Sequence, residues 1–187
     1  MNAYDFDKTI YDGDSTIDFY KFCVKRNPLL LRYLFRQGAG FALYLLGVYD
    51  KTAFKERFYS FLQGMNDPQR VLQDFWDLHI HRIKPWYIGQ MGEDDVIISA
   101  SPEFLVREAM QRLGSATVIA SAVDISSGRY TGVNCYGLEK VRRFLERYPD
   151  AVIDSFYSDS NSDAPIGKIA RECFLVKGDK ICSVNWQ

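Results

Sequence analysis

The sequence predicts an α/β fold, in which an open parallel sheet flanked by helices carries an all-helical insert after its first strand. Short apolar runs that end in small polar or acidic residues alternate with helical patterns, as buried parallel strands alternate with crossover helices. Between the first and second of these runs, residues 14–90 contain only helical patterns. A length of 187 residues is enough for one core domain that carries such an insert.

The N-terminal half begins with a predicted strand at residues 2–6 that ends in acidic residues. Residues 15–18 are typical of a capping box and predict a helix that ends before Pro28. Asp50 and Asp67 each precede a helical pattern, and we expect each to cap a further helix. The insert is therefore predicted to consist of helices joined by short turns.

One segment of the insert, Pro28 to Tyr49, is apolar and long enough to resemble a membrane helix. Arg32 and Arg36 interrupt it, and an arginine at the centre of a bilayer costs about 2.5–3.5 kcal/mol even on lenient scales. We therefore expect a helix hairpin bent near Gly38 and Gly40. A lipid-facing surface is the alternative.

From residue 94 onward the pattern changes to strands and helices in alternation. The predicted elements are strands at 94–99, Ala116–Ala120, 151–157, 173–176 and 181–184, helices at 102–114 and 137–148, and a hairpin turn at 126–128. Such alternation is typical of an open parallel sheet. The last strands are short, which predicts a narrow C-terminal edge.

Composition limits the classes of function and the compartment. The net charge of −1 gives no basic field, so we expect no nucleic-acid partner. The four cysteines have no C-x-x-C spacing, and a chain this rich in apolar residues needs no disulfides. Only four residues precede Asp5, so no signal peptide is expected before it. We expect a cytoplasmic protein with reduced, mostly buried thiols.

Polar side chains collect where predicted strands end or a helix begins. They are Asp5, Asp7, Ser99, Lys140, Asp159 and Asp163. In open α/β sheets, ligands bind beyond the carboxyl ends of the strands, so these side chains are expected to form one site. Two like charges about 4 Å apart repel by about 4 kcal/mol at an effective dielectric near 20, so protons or a cation must be present. An all-oxygen ligand set suits Mg²⁺.

The order of these motifs resembles that of motifs I to IV in the haloacid dehalogenase superfamily. The matching residues are Asp5-Phe6-Asp7-Lys8-Thr9, the strand end at Ser99, Lys140, and Ser158 to Asp163. The helical insert resembles the type 1 cap of the phosphoserine-phosphatase-like branch. The resemblance implies a Rossmann-like core at residues 1–13 and 91–187 with a cap at 14–90.

The resemblance also implies catalytic roles for named residues. Asp5 would be the nucleophile that takes the phosphoryl group as an aspartyl phosphate. Asp7 would protonate the leaving oxygen and later activate water. Thr9 and Ser99 would bind phosphate oxygens. Lys140 would neutralise negative charge on the phosphoryl group and on Asp5.

A Mg²⁺ site is implied in the same way. Its ligands would be the carboxylates of Asp5 and Asp159 and the backbone carbonyl of Asp7, while Asp163 would be a further ligand or would orient one. A bound cation agrees with the chemistry, because an anionic nucleophile can attack an anionic phosphate only if their repulsion is cancelled.

The sequence departs from the family pattern in two places. Lys8 stands where a small residue is common, and Ser99 is followed by Ala100-Ser101-Pro102 where phosphoserine phosphatases have two glycines after the serine. The second departure argues against phosphoserine as the substrate and makes Ser101 an alternative phosphate ligand. Asp14 lies near the position of a cap acid that contacts the substrate in phosphoserine phosphatases, but it could equally be a charge at a helix start.

The sequence therefore predicts a Mg²⁺-dependent phosphatase that hydrolyses a phosphomonoester, with a small soluble metabolite as the favoured substrate and partner. One alternative is a lipid-phosphate phosphatase of the phosphatidylglycerophosphatase kind, for which Pro28 to Tyr49 would lie on a membrane interface. The other is a catalytically silent protein that binds a phosphorylated ligand. Membrane contact is thus a secondary expectation.

Overall fold

A computed structural model describes residues 1–114 and 117–186. In these residues six strands form one sheet in the order β3-β2-β1-β4-β5-β6. The strands are β1 Ala3–Tyr4, β2 Val96–Pro102, β3 Thr117–Ser121, β4 Ile153–Ser158, β5 Ala170–Lys177 and β6 Lys180–Ser183. Neighbours from β3 to β5 pair in parallel, and β6 is antiparallel to β5. The predicted α/β fold is confirmed. The predicted strand start at Ala116 lies outside the described residues.

Helices cover the sheet and make up the insert between β1 and β2. They are α1 Ser15–Arg26, α2 Leu34–Leu45, α3 Lys51–Tyr59, α4 Pro68–His79, α5 Pro85–Ile88, α6 Glu103–Arg112, α7 Leu138–Arg147 and α8 Ala164–Gly167. Short 3₁₀ helices occupy Pro28–Tyr33, Ser60–Gly64, Ile80–Arg82 and Asn161–Asp163. Between β1 and β2 the chain forms α1 to α5 and three of these 3₁₀ helices, as the helical periodicity predicted.

Aspartates begin three helices of the insert. Asp50 and Asp67 cap α3 and α4, as predicted. In α1 the cap is Asp14, whose Oδ1 accepts a hydrogen bond of 3.0 Å from the backbone N–H of Ile17. The predicted capping box placed the cap one residue later, at Ser15. An aspartate and a serine are equally good caps, so sequence could not separate the two positions.

The bend predicted near Gly38 and Gly40 is wrong. A 3₁₀ helix covers Pro28–Tyr33, and α2 then runs without interruption from Leu34 to Leu45 through both glycines. A Cβ at Gly40 would lie 2.5 Å from Cβ of Arg57 on α3. Gly40 therefore permits close packing of two helices rather than a bend.

The buried apolar residues form two clusters, one on each face of the sheet. Tyr4 and Ile97 belong to the cluster shared with the insert, whereas Val96, Ile98 and Phe144 belong to the opposite cluster. This division follows from the period of two in a strand. With both faces covered, the carboxyl ends of the strands remain the accessible edge for a ligand.

Two further expectations concern the membrane and the cysteines. Within residues 1–114 and 117–186, each helix is too short or too polar to cross a bilayer. Cys23, Cys135 and Cys173 are buried and Cys182 is exposed, and all four thiols are free. The prediction that most of the thiols are buried is confirmed.

Candidate active site

The centre of the candidate site is a buried ion-pair cluster at the end of β1. Asp5 follows the strand directly, and its backbone N–H donates to the carbonyl of Tyr157 on β4 over 2.9 Å. Lys140, in the first turn of α7, points its Nζ to within 2.8 Å of Asp5 Oδ1 and 2.9 Å of Asp163 Oδ2. The sequence predicted that these three side chains meet, and the structure brings them together.

Burial and charge act in opposite directions in this cluster. Burial raises the pKa of Asp5 to about 7, although the ammonium of Lys140 opposes the rise. Burial alone would lower the pKa of Lys140, but Asp5 and Asp163 together raise it above its usual value. Asp163 is held further by the hydroxyl of Ser158, which donates to Oδ2 over 2.7 Å. Lys140 is therefore a fixed positive charge beside a carboxylate that titrates near neutral pH.

Asp7 has a separate set of partners. Its Oδ1 accepts a 2.6 Å hydrogen bond from the backbone N–H of Ser15, and its Oδ2 accepts one from the hydroxyl of Ser101. Burial, reinforced by the nearby carboxylate of Asp14, raises the pKa of Asp7 to about 6, and both hydrogen bonds limit the rise. A carboxyl group with this pKa can give up and regain a proton near neutral pH.

The two serines at the end of β2, Ser99 and Ser101, make different hydrogen bonds. The hydroxyl of Ser99 accepts a hydrogen bond of 3.1 Å from the backbone N–H of Ser101. The hydroxyl of Ser101 donates to Asp7 and lies 3.2 Å from Oγ1 of Thr16. Ser101 is therefore coupled to Asp7, while Ser99 supports the strand end. Sequence reasoning had left the choice between these serines open.

The loop after Asp7 turns sharply and buries Thr9. Lys8 has a positive φ of 59°, and its carbonyl accepts a 3.0 Å hydrogen bond from Nζ of Lys84, which also donates to the carbonyl of Gly178 over 2.7 Å. Within the described residues, the fully buried Oγ1 of Thr9 has no hydrogen-bond partner. An unpartnered buried hydroxyl is unfavourable, so a phosphate oxygen is a suitable acceptor for it.

Asp159 follows β4 and is half-buried at the mouth of the cleft. Burial raises the pKa of its carboxyl group, and the ammonium groups of Lys8 and Lys177 oppose that rise. Asp159 shares a pocket of about 290 Å³ with these lysines and with Lys84. The cleft mouth is therefore lined by three lysines and by two carboxylates, those of Asp12 and Asp159.

Asp5 and Asp159 are carboxylates, the ligand type that Mg²⁺ prefers in proteins. Asp5 and Asp159 both have carboxyl pKa values raised by burial, and a divalent cation would favour their ionised forms. Among residues 1–114 and 117–186, no three His, Cys, Asp or Glu side chains are grouped so that they could hold a metal ion. Most positions around Mg²⁺ would therefore be carbonyl, water and substrate oxygens, as is usual for this ion. The contacts of Asp163 with Lys140 favour an orienting role for Asp163.

Sequence reasoning missed Lys55, which reaches from α3 of the insert to the sheet. Its Nζ donates to the carbonyl of Ala100 over 2.8 Å and to Oδ1 of Asn134 over 3.1 Å. One of several lysines on a helix of the insert gives no sequence signal for such a contact. Burial, together with the ammonium of Lys51, lowers the pKa of Lys55 to about 8.

A second pocket, of about 240 Å³, lies between α1, α3 and the end of β2. It is lined by Asp14, Thr16, Ile17, Phe54, Lys55, Phe58, Tyr59 and Ser101. Asp14 thus both caps α1 and lines this pocket, so the two readings of Asp14 from sequence are compatible. Since Ser101 donates to Asp7, the pocket adjoins the carboxyl group expected to act on a leaving group.

Replacing Lys55 by methionine is expected to change how stability depends on pH. The folded pKa of about 8 lies below the ordinary 10.5, so the unfolded wild type binds more protons within that window and stability rises with pH. Between about pH 7.5 and about pH 9.5, the wild type should gain about 1–2 kcal/mol in free energy of unfolding relative to the variant.

Urea denaturation at the two pH values measures this difference. The matched control is Lys21→Met, because Lys21 is a largely exposed lysine of the same insert. This control should follow the wild type at both pH values. Equal pH dependence of Lys55→Met and wild type would contradict the buried ammonium described here.

Comparison with known proteins identifies the family. The family model of the haloacid dehalogenase-like hydrolases matches residues 3–168, which is most of the chain. The chain belongs to this family. In this haloacid dehalogenase-like hydrolase, the matched region contains all of the side chains that converge at the end of β1.

Solved structures share the fold of this hydrolase. A protein of unknown function from Bordetella pertussis Tohama I has a TM-score of 0.70 at 18% identity, covering 90% of this chain and 85% of that one. A HAD family hydrolase from Salmonella enterica serovar Typhi has a TM-score of 0.61 at 18% identity, and the match covers 90% of this chain and 59% of that protein. A phosphoserine phosphohydrolase-like protein from Francisella tularensis SCHU S4 has a TM-score of 0.55 at 13% identity, covering 92% and 86%. No curated protein matches the chain.

Proposed function

We propose that this hydrolase is a Mg²⁺-dependent phosphatase that cleaves a phosphomonoester through an aspartyl phosphate on Asp5. The observation that carries the proposal is the contact of Lys140 with Asp5 and Asp163, because it places a fixed positive charge at the carboxylate that would meet phosphorus. Asp7, two residues further on, has the raised pKa that a general acid needs.

The proposed reaction has two steps. Lys140 holds Oδ1 of Asp5, so Oδ2 is the oxygen that attacks phosphorus as the bond to the leaving oxygen breaks. Asp7, protonated at this stage, gives its proton to the leaving oxygen. Water then attacks phosphorus and gives a proton to Asp7 while the bond to Asp5 breaks, which releases inorganic phosphate and restores both carboxyl groups.

Mg²⁺, when bound by Asp5, Asp159 and the carbonyl of Asp7, would supply positive charge that offsets repulsion between nucleophile and phosphate. The other contacts are made by the chain itself. Thr9 offers a buried hydroxyl to a phosphate oxygen, and Lys140 stabilises charge on the phosphoryl group. In water a phosphate monoester hydrolyses so slowly that catalysis has to supply a very large acceleration, of up to about 10²¹-fold.

The pocket beside Asp7 supports a small substrate. Its volume of about 240 Å³ suits a leaving group of metabolite size, and aromatic rings line it together with charged groups of opposite sign, Asp14 and Lys55. The residues around the pocket come largely from the insert, which supports a role for residues 14–90 as a cap that sets specificity and excludes water.

A panel of phosphomonoesters tests the proposal. With Mg²⁺ present, the protein should release inorganic phosphate from an aryl phosphate and from at least one small phosphorylated metabolite, and EDTA should abolish the release. Lack of hydrolysis on every ester, combined with saturable binding of one of them, would overturn the proposal in favour of a silent binding protein.

Separate serine variants test how the end of β2 contributes. Ser101→Ala removes a hydrogen bond that lowers the pKa of Asp7, so that pKa should rise. Because a general acid must be protonated, the alkaline limb of the kcat/KM profile should move up by as much as about one pH unit. Ser99→Ala removes the hydroxyl that the resemblance assigns to a phosphate oxygen, so it should raise KM without moving that limb. The reverse pattern would exchange the roles of the two serines.

A further inference from the structure

Helix α2 has the reverse of the burial pattern that is usual for a surface helix. It buries Gln37 and Gly40, while its large apolar side chains other than the half-buried Leu43 are exposed. Gln37 is fixed there by a 2.8 Å hydrogen bond from its Nε2 to the carbonyl of Phe58 and a 3.1 Å hydrogen bond from the hydroxyl of Tyr20. The inward glutamine therefore fixes the orientation that presents the apolar side chains to solvent.

The exposed large apolar side chains of residues 29–48 are here named the α2 face. Its members are Leu29, Leu31, Leu34, Phe35, Phe41, Tyr44, Leu45, Leu46 and Val48. Phe35 is 87% exposed and Leu45 is 68% exposed, which are high values for large apolar residues. A patch of this kind marks a surface that contacts a partner.

Charge distinguishes between possible partners. No acidic residue occurs from position 19 to position 49, whereas the same stretch contains Lys21, Lys25, Arg26, Arg32 and Arg36. Arg26 pairs with Asp74. Within the described part of the chain, Arg32 contacts Tyr33 and Arg36 contacts Gln63, and neither has a carboxylate partner. Two guanidinium groups beside the α2 face are therefore available to an anion.

We propose that the α2 face docks on an anionic lipid membrane. Leucine and phenylalanine side chains would enter the interface, and Arg32 and Arg36 would meet lipid phosphates, which is how amphipathic basic helices bind membranes. A helix of 12 residues is about 18 Å long, so α2 would lie in the interface rather than span it. A second copy fits less well, because a two-fold contact would bring like charges together.

The α2 face leads to the pocket beside Asp7. On its inner side, Phe41 and Tyr44 pack against Phe54 of α3, with ring centroids 5.9 Å and 5.1 Å apart. Phe54 in turn lines the pocket together with Ser101. A membrane on the α2 face would thus lie near the pocket. The docking itself does not depend on the proposed phosphatase activity.

Co-sedimentation with lipid vesicles tests the docking. The probe is a vesicle of phosphatidylglycerol and phosphatidylcholine, compared with phosphatidylcholine alone. The wild type should bind the anionic vesicles at low salt and lose binding as salt increases. The double variant Phe35→Glu/Leu45→Glu should bind at least about tenfold more weakly, because it places two charges where apolar side chains would enter.

The control variant is Leu78→Glu, because Leu78 is an exposed leucine on α4, outside the α2 face. It should bind vesicles as the wild type does. Phe35→Glu/Leu45→Glu and Leu78→Glu should both hydrolyse a soluble aryl phosphate at the wild-type rate. Loss of docking is therefore distinguishable from failure of the proposed function. At matched ionic strength, inorganic phosphate should not displace the wild type from vesicles more than sodium chloride does.

Four results would overturn the docking. The first is absence of wild-type binding to anionic vesicles. The second is equal binding by Phe35→Glu/Leu45→Glu and the wild type. The third is greater displacement by inorganic phosphate than by sodium chloride at matched ionic strength, which would indicate a simple anion site. The fourth is a wild-type dimer, seen by sedimentation velocity, that the double variant dissociates while vesicles bind neither protein; that result would assign the α2 face to a second copy.

Discussion

Asp5→Asn should lower kcat for phosphomonoester hydrolysis by about 10⁴-fold or more, with the fold retained. An amide oxygen cannot accept a phosphoryl group as a stable intermediate. The change should be tolerated structurally, because an amide oxygen can still accept the hydrogen bond that Lys140 donates to Asp5 Oδ1. Steady-state kinetics on an aryl phosphate with Mg²⁺ measures the loss, and circular dichroism verifies the fold.

A matched variant separates this effect from a change of local charge. Asp12 lies in the same loop, and its side chain is exposed. Asp12→Asn removes one negative charge from the pocket that Asp12 lines with Asp159, and it should leave kcat within about twofold of the wild-type value, because water and salt screen an exposed charge. Activity of Asp5→Asn above about a tenth of the wild-type value would contradict the role of Asp5 as nucleophile.

Lys140→Met should reduce both activity and stability. Lys140 is 2% exposed, and its ammonium group lies between two carboxylates. Its removal therefore leaves the negative charges of Asp5 and Asp163 close together with no positive charge between them. Loss of one partner of a buried ion pair destabilises proteins by about 3–5 kcal/mol. The loss of charge beside phosphorus should lower kcat by about 10³-fold. Urea denaturation and kinetics measure the two effects.

Two further variants make this prediction specific. Lys168→Met removes an exposed lysine and should change neither quantity measurably. Lys140→Met/Asp163→Asn should recover part of the lost stability, because one of the two uncompensated carboxylates is gone, but it should recover no activity. A Lys140→Met variant as stable as the wild type would contradict the buried ion-pair cluster.

The convergence of Asp5, Lys140 and Asp163 could be predicted because strand ends share one edge of a parallel sheet. Each motif lies where an apolar run ends or a helix begins, and the sheet order places β1 between β2 and β4. The argument needed only element types and their order. Because it did not need the packing of side chains, the convergence could be predicted from the sequence alone.

Side-chain contacts between the insert and the core could not be predicted in this way. Lys55 is one of several lysines of the insert, and only the docking of α3 on the sheet brings it to the carbonyl of Ala100. The glycines of α2 were misread for a related reason. Gly40 is needed by the close approach of Arg57, a contact between two helices that the sequence of one helix does not encode.

The same limit explains the two serines of β2. Their spacing of two residues places both near the end of the strand, and nothing in the residue types separates a phosphate ligand from a partner of Asp7. The structure separates them through the hydrogen bond from Ser101 to Asp7. In the proposed function the choice of substrate depends on the same kind of contact, because side chains of the insert such as Asp14 and Lys55 line the pocket beside Asp7.

A crystal structure with Mg²⁺ and beryllofluoride, a mimic of the phosphoryl group, tests the central claim most directly. We expect beryllium bonded to a carboxylate oxygen of Asp5, with Mg²⁺ bound by Asp5 and Asp159 and with Lys140 in contact with a fluorine. Beryllofluoride bound elsewhere, or Mg²⁺ remote from both carboxylates, would contradict the proposed aspartyl phosphate chemistry.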